Sequence, residues 1–351
     1  MTRRSKTATK PALTHEARRT ANDRMFQNFV ACYDPGWRLT KLLALQVILE
    51  QRGLLQAKLA EVHLDPEMSG EAYVYGPASN GLIFSAIAET AMACEDFFAL
   101  INGIREPQYF VRSTVSYSAG SVKNLIKRIH RAKDEAILKA LLLPAPAQLE
   151  LLLESSDQDV NERDAVLERY SRYCALAVKM VREAARAFER FETPYNQYKH
   201  GLTVALRPFG NLPGDAHVRE LKTKLGGQVV FYDNDRIEDA FSKGNLQGGV
   251  AFFMDADSHP YLLELIKERN HLRYANVSFI EIAELVGTVQ ALSTLSVCLI
   301  RNRLALIEAP LSAVNRLFIP DDELVHKGEI IDLEVRLPRG SLGIDDFQGK
   351  L

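Results

Sequence analysis

The residues whose types and spacing are best suited to chemistry lie in the segment Tyr195–His200. Asn196 and His200 are four residues apart, so they share one face of a helical turn. A histidine with an unperturbed pKa of about 6.5 can transfer protons at neutral pH. The Asn196 amide can orient the imidazole or hold a phosphate oxygen, and Lys199 adds a positive charge. We therefore treat His200, Asn196 and Lys199 as candidate catalytic residues for attack of a ribose 2′-hydroxyl on its own phosphate, with His200 as the base.

Two other interpretations of this segment stay open. His200 can be a partly buried histidine at a helix end, where the helix dipole stabilises its positive charge. It can also take part in binding a ligand without catalysing a reaction, because a suitable pKa alone does not identify a catalytic group.

The sequence predicts a long helix before the segment. Apolar residues recur every three or four positions before it, which predicts a helix over Val160–Phe191. Pro194 lacks an N–H and clashes with the preceding turn, so we predict that the long helix ends before it. Thr193 can cap a new turn with Pro194 at its first position, and Gly201 can end that turn.

Two further long helices are predicted before that one. A strand-like run at 72–76 and the Gly76-Pro77 break indicate that the first begins at Ser79 or Asn80 and ends near Asn102-Gly103. The second is predicted over Ser121–Leu143, where Pro144 stops it. Packing the apolar stripes of the three helices together gives a central helical bundle.

The remaining segments predict shorter helices and a small sheet. Two amphipathic helices are expected between His15 and Val62, separated by a turn at Asp34–Gly36. Short β-type runs at 202–206, 228–232 and 250–254 predict a small antiparallel sheet. Helices are then expected at 260–269 and 278–307, followed by a strand at 330–337.

These patterns divide the chain into six regions. They are a disordered basic tail at 1–14, an N-terminal helical region at 15–76, the central bundle with the motif at 77–201, the small antiparallel sheet at 202–257, C-terminal helices returning to the bundle at 258–310, and a strand with a tail at 311–351. The basic tail can serve solubility or can contact RNA or a membrane surface.

The long helices followed by Tyr-Asn-Gln-Tyr-Lys-His-Gly at 195–201 resemble the HEPN superfamily. The motif of that family is an arginine, a polar residue that is often asparagine, three further residues and a histidine. Asn196 and His200 match the polar residue and the histidine, whereas Tyr195 stands in the position of the arginine. The resemblance implies an all-α bundle and RNA cleavage without metal by a homodimer, often in a toxin or phage-defence system. It equally implies a non-catalytic member that binds RNA or supports assembly.

Two basic stripes on the predicted helices are candidate RNA contacts. Each repeats at a spacing of four residues, so its charges repel one another unless a polyanion relieves them. An ordinary solvated helix face is the alternative, because Glu183 and Glu189 each lie three residues from the middle arginine of one stripe. The stripes are Arg182, Arg186 and Arg190 on one helix, and Lys123, Lys127 and Arg131 on another.

Acidic residues offer two further candidate groups. Glu89 and Asp96 are seven apart, in line with Ser85, so they can lie opposite His200 and orient its ring, or form the polar outer stripe of an amphipathic helix. Asp255, Asp257 and His259 alternate in a way that can hold a divalent ion, but helix capping by Asp257 or Ser258 explains the run more simply. We therefore expect neither a metal nor another cofactor.

Composition restricts the setting. The net charge of −2 argues against a global field for nucleic acid, so any RNA surface must come from local clustering. The four cysteines are far apart and lie in apolar stretches, which favours buried thiols in a reducing cytoplasm. The longest uncharged run, Leu285–Ile300, has 16 residues with several polar ones, so we predict a buried core helix and no membrane span.

The sequence thus predicts a predominantly α fold, a HEPN-like helical bundle with a small antiparallel β insertion. The leading functional hypothesis is a HEPN-like RNA-associated protein, with metal-independent endoribonuclease activity as its enzymatic form. The alternative hypothesis is a non-enzymatic helical interaction or scaffold protein.

Overall fold

The fold comes from a computed structural model of the 351-residue chain. It describes residues 15–51, 54, 57–58, 61, 71–105, 110–154, 160–199, 204–205, 229–230, 248–254, 273–280, 282–308, 315–320 and 330–335. This part of the chain is predominantly helical, which confirms the predicted fold class at that level. The helices are α1 (His15–Cys32), α2 (Trp37–Glu50), α3 (Glu71–Arg105), α4 (Phe110–Thr114), α5 (Ala119–Arg131), α6 (Asp134–Ala140), α7 (Pro146–Glu154), α8 (Val160–Lys199) and α9 (Ile282–Glu308).

The core lies between the three long helices α3, α8 and α9. Helix α3 packs along both α8 and α9, and α2 packs on α3 and α9. Aromatic side chains fill the space between them, and each of the largest is almost completely buried. They include Phe84, Phe97 and Phe98 on α3, and Tyr170, Tyr173 and Phe188 on α8. Burying this much apolar surface is the main stabilising contribution to the bundle.

The N-terminal helices follow the sequence prediction. The break between α1 and α2 falls at the predicted Asp34–Gly36 turn, where the Asp34 carboxylate accepts the Gly36 N–H at 2.7 Å. Phe26 and Phe29 of α1 pack edge-on against Phe110 of α4, with ring centroids 5.1 and 5.4 Å apart. Helix α2 ends at Glu50 rather than near Val62.

The predicted start of helix α3 was wrong. The run at 72–76, predicted as a strand, and the Gly76-Pro77 break both lie inside the helix, which begins at Glu71 rather than at Ser79 or Asn80. Proline in an early turn costs one intrahelical hydrogen bond. Packing of the long apolar face against two other helices outweighs that local cost.

The predicted helix over Ser121–Leu143 is instead two helices. Ala132 and Lys133 are extended and separate α5 from α6, whose first turn carries Asp134 and Glu135. Tertiary packing selects this break, since α5 and α6 pack separately on α8. The sequence analysis also missed α7. This helix begins at Pro146, because proline is well suited to the first position of a helix.

Helix α8 runs without interruption through Pro194 to Lys199. The prediction that it ends before Pro194 and restarts from a Thr193 cap was therefore wrong. Phe191, Pro194 and Tyr195 are all buried at this end of the helix. Their packing explains why the continuous helix is favoured in spite of the hydrogen bond that proline removes.

Short strands pair in two sheets. The strands of the first sheet are β1 (Val204–Ala205), β2 (Val229–Val230), β3 (Gly248–Met254) and β4 (Arg273–Ile280). Their order in the sheet is β1-β3-β4-β2, and all the pairings are antiparallel. The second sheet pairs β5 (Asn315–Pro320) with β6 (Ile330–Val335), also antiparallel.

Only a small part of the predicted β region lies among the described residues. Most residues of the predicted insertion at 202–257 lie outside the described part of the chain, as does the predicted helix at 260–269. Residues 278–280, predicted as the start of the last long helix, belong to β4, and that helix begins at Ile282. The β-branched and aromatic residues of Arg273–Ile280 favour a strand there.

Helix α9 contains the uncharged run Leu285–Ile300, which was predicted to form a buried core helix. Its stretch Ile282–Ile307 is long and apolar enough to cross a membrane, and 56% of its most apolar window is buried inside the protein. Leu285, Leu292 and Leu299 lie in the core of the bundle, as predicted for a buried helix. Near its end, the buried guanidinium of Arg303 pairs with Asp23 of α1 at 2.5 Å.

Three of the four thiols are buried, as predicted, but the prediction was wrong for Cys32, which is exposed at the end of α1. Burial is the main reason that the pKa of Cys174 is raised to about 12. The pKa of Cys94 is raised further, by burial and by the Glu95 charge. The buried thiols are therefore protonated packing groups rather than nucleophiles.

Candidate functional site

The candidate site is the end of α8, where the motif segment packs on α3. Tyr195, in the position of the family's arginine, is 5% exposed and faces the core. Its hydroxyl donates a hydrogen bond to Oε2 of Glu95 on α3 at 3.2 Å. The first residue of the motif is therefore held inside the bundle and does not reach solvent.

Glu95 accepts a second hydrogen bond from a tyrosine. The hydroxyl of Tyr117, in the loop between α4 and α5, donates to the same Oε2 atom at 3.3 Å. Burial, followed by the charge of Glu95, raises the pKa of both Tyr117 and Tyr195 well above 10. Both hydroxyls therefore stay protonated at neutral pH and remain hydrogen-bond donors to the carboxylate.

The Tyr195 ring also positions Lys199. The Lys199 ammonium lies 3.7 Å from the centre of that ring, the geometry of a cation–π contact. Asn196 and Lys199 are both exposed. The end of α8 thus presents an amide and an ammonium to solvent, and the ammonium rests on a ring that Glu95 anchors.

Tyr198 completes the attachment of this turn to α3. Its hydroxyl and the Ser85 hydroxyl are 3.0 Å apart, and its ring stacks on Phe84 with a centroid distance of 6.4 Å. Two tyrosines therefore fix the motif turn from opposite ends, one through Glu95 and one through Ser85. Ser85, which the sequence analysis placed in line with Glu89 and Asp96 on α3, contacts Tyr198 of the motif turn.

His200 lies outside the described residues. Its predicted role as base, and the predicted pairing of its side chain with Asn196, are therefore not addressed by the geometry. The described part of the segment brings Asn196 and Lys199 to the same exposed helix end and places Tyr195 beneath Lys199.

No family model, curated protein or solved structure matches this chain.

Glu89 and Asp96 have partners on α2. Arg38 donates to Asp96 Oδ2 at 2.6 Å and to Glu89 Oε2 at 3.0 Å, and Lys41 also pairs with Glu89. Glu89 is 3% exposed, so the alternative of a polar outer stripe is wrong for Glu89, whereas Asp96 is partly buried. The physical reason is that a buried carboxylate is tolerated when it is ion-paired and hydrogen-bonded.

The charges of this cluster shift one another's titration. Burial raises the pKa of Asp96, and the hydrogen bond and charge of Arg38 oppose that rise. Burial alone lowers the pKa of Arg38, but its hydrogen bonds and charge contacts with Asp96 and Glu89 raise it overall. Both acids are therefore paired with Arg38. Their predicted role in orienting His200 stays a prediction, because His200 lies outside the described residues.

The two basic stripes are partly paired with acids from other helices. Arg182 binds Asp134 at 2.7 Å and the Ala132 carbonyl at 3.2 Å, and Arg190 binds Glu284 at 2.7 Å. Lys123 of the second stripe pairs with Glu192 of α8. The remaining members of the two stripes, Arg186, Lys127 and Arg131, are exposed. The stripes therefore also contribute contacts between helices.

The candidate metal ligands Asp255, Asp257 and His259 lie outside the described residues. Within the described part of the chain, His, Cys, Asp and Glu form no group of three or more that could hold a metal ion.

Sequence reasoning missed Glu95, although a signal was present. Glu95 lies four residues after Ala91 and three before Phe98, so it interrupts the apolar stripe predicted for this helix. A single acid within an apolar stripe indicates a buried polar group that needs a partner. The partners, Tyr117 and Tyr195, could not be predicted, because each lies far from Glu95 along the chain.

Proposed function

We propose that this chain is a HEPN-like RNA-associated protein that contacts RNA phosphates at the exposed end of α8. The observation that carries the proposal is the Lys199 ammonium 3.7 Å above the Tyr195 ring. In this proposal the small antiparallel β insertion is an addition to a HEPN-like bundle. The chain acts in the cytoplasm as a homodimer that brings two such helix ends together.

The tyrosine in the arginine position supports a binding role for a physical reason. An aromatic ring face is electron-rich and attracts a cation, so Tyr195 holds the Lys199 ammonium at the exposed end of α8. The hydrogen bond to Glu95 fixes the ring, which reduces the entropy that Lys199 loses on binding a phosphate. Asn196, exposed on the same helix end, adds an amide that can donate to a phosphate oxygen.

Equilibrium binding to a labelled single-stranded RNA tests this proposal. Lys199→Gln should weaken binding several-fold for any RNA sequence, because a lysine contact to phosphate carries no base information. Lys179→Gln is the matched control, since Lys179 is an exposed lysine on the same helix. The proposal fails if the parent protein does not bind RNA, or if the two variants bind equally well.

Metal-independent RNA cleavage is the second candidate function. The exposure of Asn196 and Lys199 at one helix end favours it, because a cleaving site needs cationic and amide groups that a phosphate can reach. His200 is its proposed base. Incubation with mixed RNA and a metal chelator, for the parent, His200→Ala and Tyr195→Arg, tests it.

Cleavage by the parent that His200→Ala abolishes would support the enzymatic function. Absence of cleavage by the parent, with no gain in Tyr195→Arg, would refute it and leave the binding function to be tested by affinity. A chain that neither binds nor cleaves RNA would correspond to the alternative of a non-enzymatic helical interaction or scaffold protein.

A further inference from the structure

A second polar site is a cavity of about 390 Å³, and none of its described lining residues belongs to α8. Three helices and a loop build it: Asn102 comes from α3, Arg112 from α4, Tyr117 from the loop, and Asn124 and Arg128 from α5. We call it the arginine cavity. Its volume is within the range of small-molecule binding pockets, which begins at about 300 Å³.

The charge of the arginine cavity has one sign. Arg112 and Arg128 both line it and are exposed, and no carboxylate occurs among the described residues of its wall. The Arg128 Nε donates to the Asn124 carbonyl at 3.3 Å, which holds this side chain along α5. Two guanidinium groups that line one cavity with no carboxylate in its described wall create a positive potential suited to an anion.

The neutral groups of the wall add hydrogen-bonding capacity. The side-chain amides of Asn102 and Asn124 can each donate and accept, and Ser116 adds a hydroxyl. Tyr117 adds an aromatic side chain to the wall, and its hydroxyl donates a hydrogen bond to Glu95. The lining thus combines cationic, amide and aromatic groups in one cavity.

The start of α5 also faces this region, but it is not what distinguishes the site. Ser118 accepts the N–H of Ser121 at 3.2 Å, so the helix supplies its own cap. The two arginines come from different helices and converge on the cavity independently of that cap.

We propose that the arginine cavity binds the phosphate group of a nucleotide, either free or within an RNA strand. Guanidinium groups bind phosphate oxygens through paired hydrogen bonds in a fixed geometry, and two of them match a doubly charged phosphate. The amides and the Tyr117 residue provide the contacts that a base would use, namely edge hydrogen bonds and stacking. This proposal does not depend on the role of Lys199.

Calorimetric titration of the full chain with adenosine monophosphate, adenosine and a short single-stranded RNA tests the inference. Adenosine monophosphate should bind at least about tenfold more tightly than adenosine, because the phosphate supplies the charge-assisted contacts. The double variant Arg112→Gln/Arg128→Gln should lose about tenfold or more of that affinity. Arg24→Gln, an exposed arginine on α1 outside the cavity wall, is the matched control and should bind as the parent does.

The two sources of phosphate give different results. Loss of adenosine monophosphate binding in the double variant assigns the site to free nucleotides as well, whereas loss confined to the RNA assigns it to a strand. Ser116→Asp provides a second test that keeps both arginines, since a carboxylate in the wall should repel phosphate, and circular dichroism verifies the fold of each variant. The proposal is overturned if the parent binds neither phosphate-bearing probe, or if the double variant and Ser116→Asp bind both as the parent does.

Discussion

Helix α3 carries two kinds of inward-facing carboxylate, and they are satisfied in opposite ways. Glu89 and Asp96 are paired with the guanidinium of Arg38 on α2, so opposite charges compensate one another. Glu95, next to Asp96, accepts hydrogen bonds from the neutral hydroxyls of Tyr117 and Tyr195. The ion pairs join two helices of the bundle, whereas Glu95 joins the motif helix to the wall of the arginine cavity.

The two groups of carboxylates differ in role: Glu89 and Asp96 hold helices together, whereas Glu95 positions residues of the candidate site. A compensated ion pair between helices contributes mainly to stability and geometry. The Glu95 carboxylate accepts hydrogen bonds from two tyrosine hydroxyls and so fixes two rings, one beneath Lys199 and one in the cavity wall. Substitutions on the two sides should therefore have effects of different size and kind.

The largest effect should come from Arg38→Met. It leaves Glu89 and Asp96 without their shared partner in a largely buried place, and breaking such a pair costs about 3 kcal/mol of unfolding free energy. Urea unfolding measures this loss. Lys58→Gln, which removes an exposed pair with Glu61, should cost less than about 1 kcal/mol. Equal, small losses in both variants would contradict the structural role of Arg38.

An intermediate effect is expected on the Glu95 side. Tyr117→Phe and Tyr195→Phe should each cost about 1–2 kcal/mol, since each removes one hydrogen bond to a buried carboxylate. The double variant should lose more than the sum, because Glu95 then loses both hydroxyl donors. Tyr198→Phe, at the exposed contact with Ser85, is the control and should cost less. Strict additivity in the double-mutant cycle would show that the two tyrosines do not share Glu95.

The last effect should be confined to alkaline pH, at the tyrosine beside the ion pairs. Burial, then the charge of Asp96, raises the pKa of Tyr33 from 10.0 to about 12. A pKa that is higher in the folded state contributes stability below the unfolded value, and this is lost as the pH rises from about 10 towards about 12. Tyr33→Phe should make the alkaline fall in unfolding free energy shallower than in the parent. An unchanged pH profile would contradict the burial of this hydroxyl.

Periodicity predicted the helical elements better than their ends. The break at Asp34–Gly36 and the apolar faces of α3 and α8 followed from local patterns. The passage of α8 through Pro194, and of α3 through Pro77, did not, because a local cost was outweighed by packing against distant segments. The extended pair Ala132-Lys133 between α5 and α6 was missed for the same reason.

The candidate site was predictable only where its geometry is local. The spacing of Asn196 and Lys199 within one turn is a property of the sequence, and both are exposed at the end of α8. The contact between Glu95 and Tyr195 joins residues that are 100 positions apart. No spacing rule encodes such a pair, so the anchor beneath Lys199 required the fold.

The most direct test of the central claim is the salt dependence of single-stranded RNA binding. If Lys199 contacts a phosphate, Lys199→Gln should lower the slope of log affinity against log salt by about 0.7 relative to the parent. Lys179→Gln should leave the slope unchanged, and Tyr195→Phe, which keeps the ring, should retain most of it. Parallel salt lines for the parent and Lys199→Gln would contradict a phosphate contact at the end of α8.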